Sequence, residues 1–210
     1  MKRTGRVIIL LLMILSLTVA LLTMACVGCW ISLHFVDGFN FNLPQIRNDV
    51  VVQAQTWIGT EEGSETHLQI LDIYNNHEPL ARGYAVTVSD NWCATFGSTV
   101  AIKLDLTDII PTECGCERQI ELWQSLGCWT ENDYYAPQPG DYIYYNWNAT
   151  WAPKDNTGWS DHVGIVAGTV GPMIKVIEGN KDDQVTYRVI CRGDYRIRGF
   201  GLPDYASKTE

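Results

Sequence analysis

The stretch DHVGIVAGTVGPMIKVIEGN, from Asp161 to Asn180, decides the fold. Its apolar run His162 to Ala167 is typical of a strand, Gly171-Pro172 of a turn, and Ile174 to Ile177 of a second strand. A connection this short predicts antiparallel pairing, because parallel strands need a much longer crossover. The end of the second strand then lies beside the start of the first. The Glu178-Gly179-Asn180 segment is therefore expected next to His162.

Helices are predicted before this hairpin, and further strands on both sides of it. Apolar spacing and capping residues predict four helices: Asn48 to Gly59, His67 to Tyr74, a helix capped by Asp90 or Asn91 that runs through Ala101, and Cys116 to Leu126. Strand-forming residues predict Tyr142 to Trp147, Gln184 to Cys191 and Ile197 to Phe200. Helices followed by strands indicate an α+β fold rather than an alternating α/β fold.

The N-terminal residues predict a membrane anchor. Val7 to Val36 contains no Asp, Glu, Lys or Arg, whereas Lys2, Arg3 and Arg6 precede it. About 20 apolar residues cross a bilayer, and flanking positive residues stay on the cytoplasmic side. The expectation is a single-pass protein of the cell membrane with an extracytoplasmic domain. Secretion after signal cleavage is the alternative, although a signal h-region has only about 7–15 residues. Lipid attachment at Cys26 or Cys29 is a minor third option.

The predicted organisation has four parts. Residues 1–36 form a cytoplasmic tip and transmembrane signal-anchor, 37–46 a linker, 47–205 one catalytic domain, and 206–210 a tail. The formal net charge is −9, and without the three N-terminal basic residues the outer part carries 12 basic and 24 acidic residues, or −12. No basic stripe is present, which excludes a nucleic-acid partner.

Five cysteines lie outside the apolar run, and an odd number in an exported domain leaves one free thiol. Cys114-x-Cys116 followed by Cys128 has some likeness to a zinc pattern. No histidine lies nearby and no second CxxC occurs, so disulfides or core cysteines are favoured over metal. Cys116 and Cys128 are a candidate bridge, and the pairing stays open.

Cys93 begins a predicted helix and is a candidate nucleophile. A thiol with a pKa near 8.5 is only about 3% thiolate at pH 7. A helix dipole supplies about 0.3–2 kcal/mol, whereas lowering the pKa by about 2–3 takes about 2.7–4 kcal/mol. A positively charged partner is therefore required, and histidine is the suitable residue.

His162 is the candidate partner because it alone among four histidines opens an apolar strand after a long irregular loop. An imidazole base needs an acceptor that fixes its tautomer. Glu178 is the first choice for that role and Asn180 the second. Taken singly, a structural histidine and a polar turn would be the favoured explanations of these segments, and only their combination favours the catalytic one.

These segments together resemble the CHAP family, the cysteine and histidine-dependent amidohydrolases/peptidases. The resemblance runs from about Arg47 to Tyr205. It extends to Gly59 with Glu62, Asp72-Ile73-Tyr74-Asn75, Pro139-Gly140-Asp141 and Ile197-Arg198-Gly199-Phe200-Gly201. It implies a papain-like fold with Cys93 as nucleophile, His162 as general base, and Glu178 and Asn180 assisting. Family members commonly cut amide bonds in peptidoglycan, as N-acetylmuramoyl-L-alanine amidases or endopeptidases. No metal or organic cofactor is implied, and no acidic cluster before Cys93 repeats the calcium site of some related phage enzymes.

The expected partners are the membrane and a peptide or glycan-peptide of peptidoglycan. Tryptophans near the catalytic segments are candidates to bind this substrate, although local packing explains the loop tryptophans equally well: Trp92, Trp147, Trp151 and Trp159. Two alternatives remain open. One is a papain-like peptidase or transferase acting on other amides, and the other is a non-catalytic scaffold of the cell wall or a secretion apparatus.

Overall fold

The order of the elements confirms a mixed α+β fold. The computed structural model describes residues 45–150 and 158–208. Its α-helices are α1 (Gln45–Gln55), α2 (Glu65–Asn75), α3 (Cys93–Lys103) and α4 (Cys116–Ser125). Its strands are β1 (Trp129–Thr130), β2 (Tyr142–Tyr145), β3 (His162–Val170), β4 (Met173–Lys181), β5 (Gln184–Cys191) and β6 (Ile197–Gly201). They form a six-stranded antiparallel sheet in the order β1-β6-β2-β3-β4-β5.

The predicted hairpin lies inside this sheet, between β2 and β5. β3 and β4 pair antiparallel, with Ile165 opposite Ile177 and Val170 opposite Met173. Both strands are longer than predicted, so only Gly171 and Pro172 remain between them. β4 also continues through Glu178 to Lys181, and Glu178 is therefore paired strand backbone rather than the start of a turn.

Helix α3 lies in the main core, which it shares with the other helices and one face of the sheet. Every residue from Cys93 to Ala101 is buried, including the hydroxyl-bearing Thr95, Ser98 and Thr99. At Gly179 of β4 the approach is so close that a Cβ atom would lie 2.5 Å from Cβ of Phe96 in α3. Glycine at this position lets the helix that begins at Cys93 pack directly on the strand that contains Glu178.

The N-terminus of α3 corrects a capping prediction. Neither Asp90 nor Asn91 caps the helix; Trp92 is the N-cap, and it makes no side-chain capping bond. Asp90 instead accepts hydrogen bonds from the backbone and hydroxyl of Thr87 at 2.7 and 2.8 Å. These bonds tie the Asp90 carboxylate to the preceding turn, and the first turn of α3 has no side-chain cap.

Other boundaries differ modestly from the prediction. Helix α1 begins at Gln45, which places the last two residues of the predicted linker in a helix, and it ends at Gln55 before a turn that reaches Gly59. β2 stops at Tyr145, since the backbone N–H of Trp147 donates to the carboxylate of Asp161. No helix among residues 45–150 and 158–208 is long and apolar enough to span a membrane, and the predicted anchor lies outside the described residues.

Candidate active site

Three distant segments bring a thiol, an imidazole and a carboxylate into contact. Cys93 is the first residue of α3, His162 the first residue of β3, and Glu178 lies in β4 beside it. His162 Nε2 is 3.1 Å from Glu178 Oε2. A side-chain hydrogen bond also links the Cys93 thiol to the same imidazole. The order sulfur, imidazole, carboxylate is the arrangement needed to activate a nucleophile.

The charges of Cys93 and His162 stabilise each other. A hydrogen bond from Cys116 is the largest influence that lowers the pKa of Cys93, and it is opposed by burial and reinforced by the hydrogen bond and charge of His162. The net pKa of Cys93 is well below its ordinary value. Burial alone lowers the pKa of His162, but hydrogen bonds to Cys93 and Glu178 and their charges outweigh burial and raise it to about 10. The site therefore holds a thiolate and imidazolium pair at neutral pH.

Glu178 is held by a second cation, Arg188 of β5. Its carboxylate is fully buried, and Arg188 Nε donates to both of its oxygens at 2.7 and 2.9 Å. Burial raises the pKa of Glu178, but the hydrogen bonds and charges of His162 and Arg188 outweigh burial and lower it. The sequence analysis missed Arg188. The available signal was one arginine within a predicted strand that follows the strand leading to Glu178.

Asn180 does not take the orienting role in this arrangement. Its backbone adopts a left-handed φ of 56°, which asparagine tolerates better than most residues. Its side-chain amide donates to Asn91 Oδ1 at 3.2 Å. Asn180 thus ties the end of β4 to the segment before Cys93, while Glu178 contacts His162.

Trp92 is placed in the core rather than at a substrate surface. Its side chain is fully buried, its ring lies 4.4 Å from the ring of His67, and its Nε1 donates to Glu62 at 3.2 Å. This placement corrects the expectation that Trp92 binds substrate, because no face of the indole is open to a ligand. Trp92 instead packs beneath the start of α3.

The loop tryptophans differ among themselves. Trp147 stacks on Tyr145, with a centroid separation of 4.9 Å, and the guanidinium of Arg188 lies 4.3 Å from the centre of its ring. It therefore buttresses the Arg188 and Glu178 pair. Trp159 is 70% exposed and offers an open aromatic surface three residues before His162. Trp151 lies outside the described residues.

Cys116 is a second thiol at the site. Its sulfur lies 3.5 Å from that of Cys93, and it is the first residue of α4. The candidate bridge to Cys128 is not formed: the Cys128 sulfur contacts the carbonyl of Leu126, and both cysteines are free. Both sulfurs lie at helix N-termini that have no side-chain cap. The partial positive charge of a helix N-terminus favours a thiolate.

Access to the sulfur is narrow. Cys93 is 4% exposed and His162 is 9% exposed, so little of either side chain is open to a substrate. Among residues 45–150 and 158–208, no group of three or more His, Cys, Asp or Glu side chains is arranged to hold a metal ion.

No protein-family model matches the chain, and no curated protein is significantly similar to it in sequence.

The ion pair should produce a distinctive dependence on pH. An ordinary thiol reacts about tenfold more slowly with each pH unit below its pKa of about 8.5, since only the thiolate is nucleophilic. We expect the alkylation rate of Cys93 by iodoacetamide to stay on a plateau through neutral pH, because its pKa is lowered. The exposed Cys191 in the same molecule is an internal reference, and both rates can be followed by mass spectrometry. Parallel pH curves for Cys93 and Cys191 would contradict the ion pair.

Proposed function

We propose that this protein is a cysteine amidohydrolase or peptidase that cleaves amide bonds of peptidoglycan. The observation that carries the chemical part is the hydrogen-bonded assembly of Cys93, His162 and Glu178. The pKa values of Cys93 and Glu178 are lowered and that of His162 is raised, which are the directions that favour a thiolate, a carboxylate and an imidazolium. No metal or organic cofactor is needed for this chemistry.

The mechanism follows from the positions of these groups. The Cys93 thiolate attacks the substrate carbonyl, and the resulting oxyanion is stabilised by backbone N–H groups at the start of α3. His162 gives its proton to the leaving amine, which departs and leaves a thioester on Cys93. Neutral His162 then takes a proton from water as the water attacks the thioester. Release of the carboxylic acid restores the thiolate and the imidazolium.

Two features of the sequence support peptidoglycan as the substrate. The catalytic segments resemble those of the CHAP family, whose members commonly cut this polymer. The predicted anchor would place the domain outside the membrane, where the polymer lies. The helices precede an antiparallel sheet, and Cys93 lies at the start of a helix. Both features agree with a papain-like arrangement. The exposed Trp159 is suited to stacking on a sugar or peptide.

The test is hydrolysis of purified peptidoglycan by the full chain in detergent micelles. We expect soluble fragments and new free amines to accumulate with time. Mass spectrometry assigns the bond: free stem peptides and peptide-free glycan identify an amidase, whereas shortened stem peptides or opened cross-links identify an endopeptidase. An amine yield no greater than that of a heat-inactivated sample would reject peptidoglycan as the substrate.

Replacing Arg188 tests whether this arginine keeps Glu178 ionised and in place to hold the His162 imidazole. In Arg188→Met the pKa of Glu178 rises, because burial is then opposed by His162 alone, and the carboxylate holds the imidazole less firmly. We expect kcat to fall about 100-fold, the cost typical of a small misplacement of catalytic groups. The acid limb of the pH–rate profile should also move to higher pH, because Glu178 then takes up a proton at a higher pH and, once protonated, no longer holds His162 as a carboxylate does.

Arg196→Met is the matched control for this variant. Arg196 pairs with Asp194 and lies near Trp147, but it is not among the hydrogen-bond partners of Glu178. Arg188→Lys should recover part of the rate, since lysine keeps the charge but not the planar geometry of the guanidinium. An unchanged acid limb in Arg188→Met would refute the positioning role even if the rate fell.

A further inference from the structure

Cys116 takes no part in the covalent steps of the proposed amide hydrolysis. The proposed mechanism uses one thiol, yet Cys116 places a second sulfur 3.5 Å from Cys93. Both residues are nearly buried, at 8% and 4% exposure, and both are free thiols. They come from the starts of two different helices, so packing of α4 near α3 creates the pair.

The two sulfurs differ in protonation. Cys93 is held as a thiolate, whereas the hydrogen bond to Cys93 and then burial raise the pKa of Cys116 well above its ordinary value. Peroxides oxidise thiolates and leave protonated thiols largely untouched. Cys93 is therefore the sulfur that reacts first, and Cys116 the one placed to react with the oxidised product.

We propose that Cys93 and Cys116 form a reversible disulfide that switches off the catalytic thiol when the protein meets a peroxide. The inactivation part rests on the proposed role of Cys93 as nucleophile; the disulfide itself does not. Formation of the disulfide removes both the nucleophile and the negative charge opposite His162. Reduction by a thiol returns both sulfurs to their starting state.

The reaction balances in two steps. The Cys93 thiolate attacks hydrogen peroxide and takes one oxygen, which gives a sulfenic acid and, after uptake of a proton, one water. The Cys116 sulfur then attacks the Cys93 sulfur, the S–O bond breaks, and the Cys116 proton leaves with the hydroxyl as a second water. Two thiols have lost two electrons in total, and the peroxide has gained them. The first step removes the thiolate charge that raised the pKa of Cys116, which favours the second.

The two sulfurs are close enough to form the disulfide without a large movement of the chain. A disulfide holds its sulfurs about 2.0 Å apart, so a pair at 3.5 Å closes with side-chain rotation and a small shift of the two helix starts. The bond also protects Cys93, because a sulfenic acid without a neighbouring thiol proceeds to sulfinic and sulfonic acids, which ordinary thiols do not reduce.

Disulfide mapping tests the bond without reference to activity. The full chain in detergent is treated with hydrogen peroxide, its remaining thiols are blocked with N-ethylmaleimide, and it is digested with trypsin. We expect the peptide Gly83 to Lys103 linked to Leu104 to Arg118. Because the second peptide contains both Cys114 and Cys116, variants assign the partner: the link should persist in Cys114→Ser and disappear in Cys116→Ser. Loss of the disulfide-linked peptide pair in Cys114→Ser, or its absence in the wild type, would overturn the proposal.

Recovery of activity tests the consequence. Each variant is oxidised, then reduced with dithiothreitol, and compared with its own activity before oxidation. We expect the wild type and the control Cys191→Ser to regain most of their activity, and Cys116→Ser and Cys116→Ala to lose most of theirs permanently. Equal recovery in all four proteins would refute the protective disulfide. If the wild type showed no hydrolysis, the proposed function would fail while the mapping still decided the bond.

Discussion

Cys93→Ala should release no more peptide or amine from peptidoglycan than a reaction without protein. Every covalent step passes through this sulfur, and loss of a nucleophile from a catalytic triad costs on the order of 10⁴- to 10⁶-fold in kcat. Alanine is a good helix former at the first position of α3, and it removes only one buried sulfur atom, so the fold should persist. Circular dichroism and thermal unfolding check that point beside the rate.

Cys116 makes a further control necessary in that experiment. Its sulfur lies 3.5 Å from the deleted one and could reach a bound carbonyl in place of Cys93. The double variant Cys93→Ala with Cys116→Ala removes this route. Wild-type rates in the double variant would show that neither sulfur is the nucleophile and would end the assignment.

His162→Ala should be nearly as damaging, with a loss of about 10³- to 10⁴-fold or more in kcat. Without the imidazole no group protonates the leaving amine, and Cys93 loses the cation that faces it. The alkylation rate of Cys93 at neutral pH should therefore also fall, although less completely, because the hydrogen bond from Cys116 remains and is the larger influence on the pKa of Cys93.

His77→Ala is the matched histidine control, since His77 lies in the loop after α2 and is not among the side-chain hydrogen-bond partners of the catalytic groups. It should keep the wild-type rate and pH profile. A His162→Ala enzyme that hydrolysed as fast as His77→Ala would show that another group serves as the base.

The contact between His162 and Glu178 was predictable because it depends on local pairing. Two apolar runs separated by Gly171-Pro172 can hardly pair other than antiparallel, and this places the start of β3 beside the end of β4. The choice between Glu178 and Asn180 was less certain, since alternate residues of a strand share a face. A register shift between Glu178 and Lys181 and the left-handed backbone of Asn180 separate the two side chains.

Cys116 and Arg188 could not be assigned to the site from the chain alone. Cys116 approaches Cys93 only because α4 packs near α3, and nothing in the spacing of the cysteines specifies that contact. Arg188 lies opposite Val176, two residues from the register partner of Glu178, so its reach depends on the β4 and β5 alignment. Trp92 was misassigned for a similar reason, since its proximity to Cys93 in sequence says nothing about which way the ring packs.

The close approach at Gly179 determines how the site would fail under stress. The nucleophile stands on the helical layer and the carboxylate on the sheet, and the contact between Gly179 and Phe96 joins these layers next to both groups. Partial opening of a peripheral loop would leave the three side chains assembled, whereas separation of the layers would take the Cys93 sulfur away from His162 and Glu178, which both lie on the sheet. Heat inactivation and loss of the cooperative core are thus expected to be a single event in this molecule.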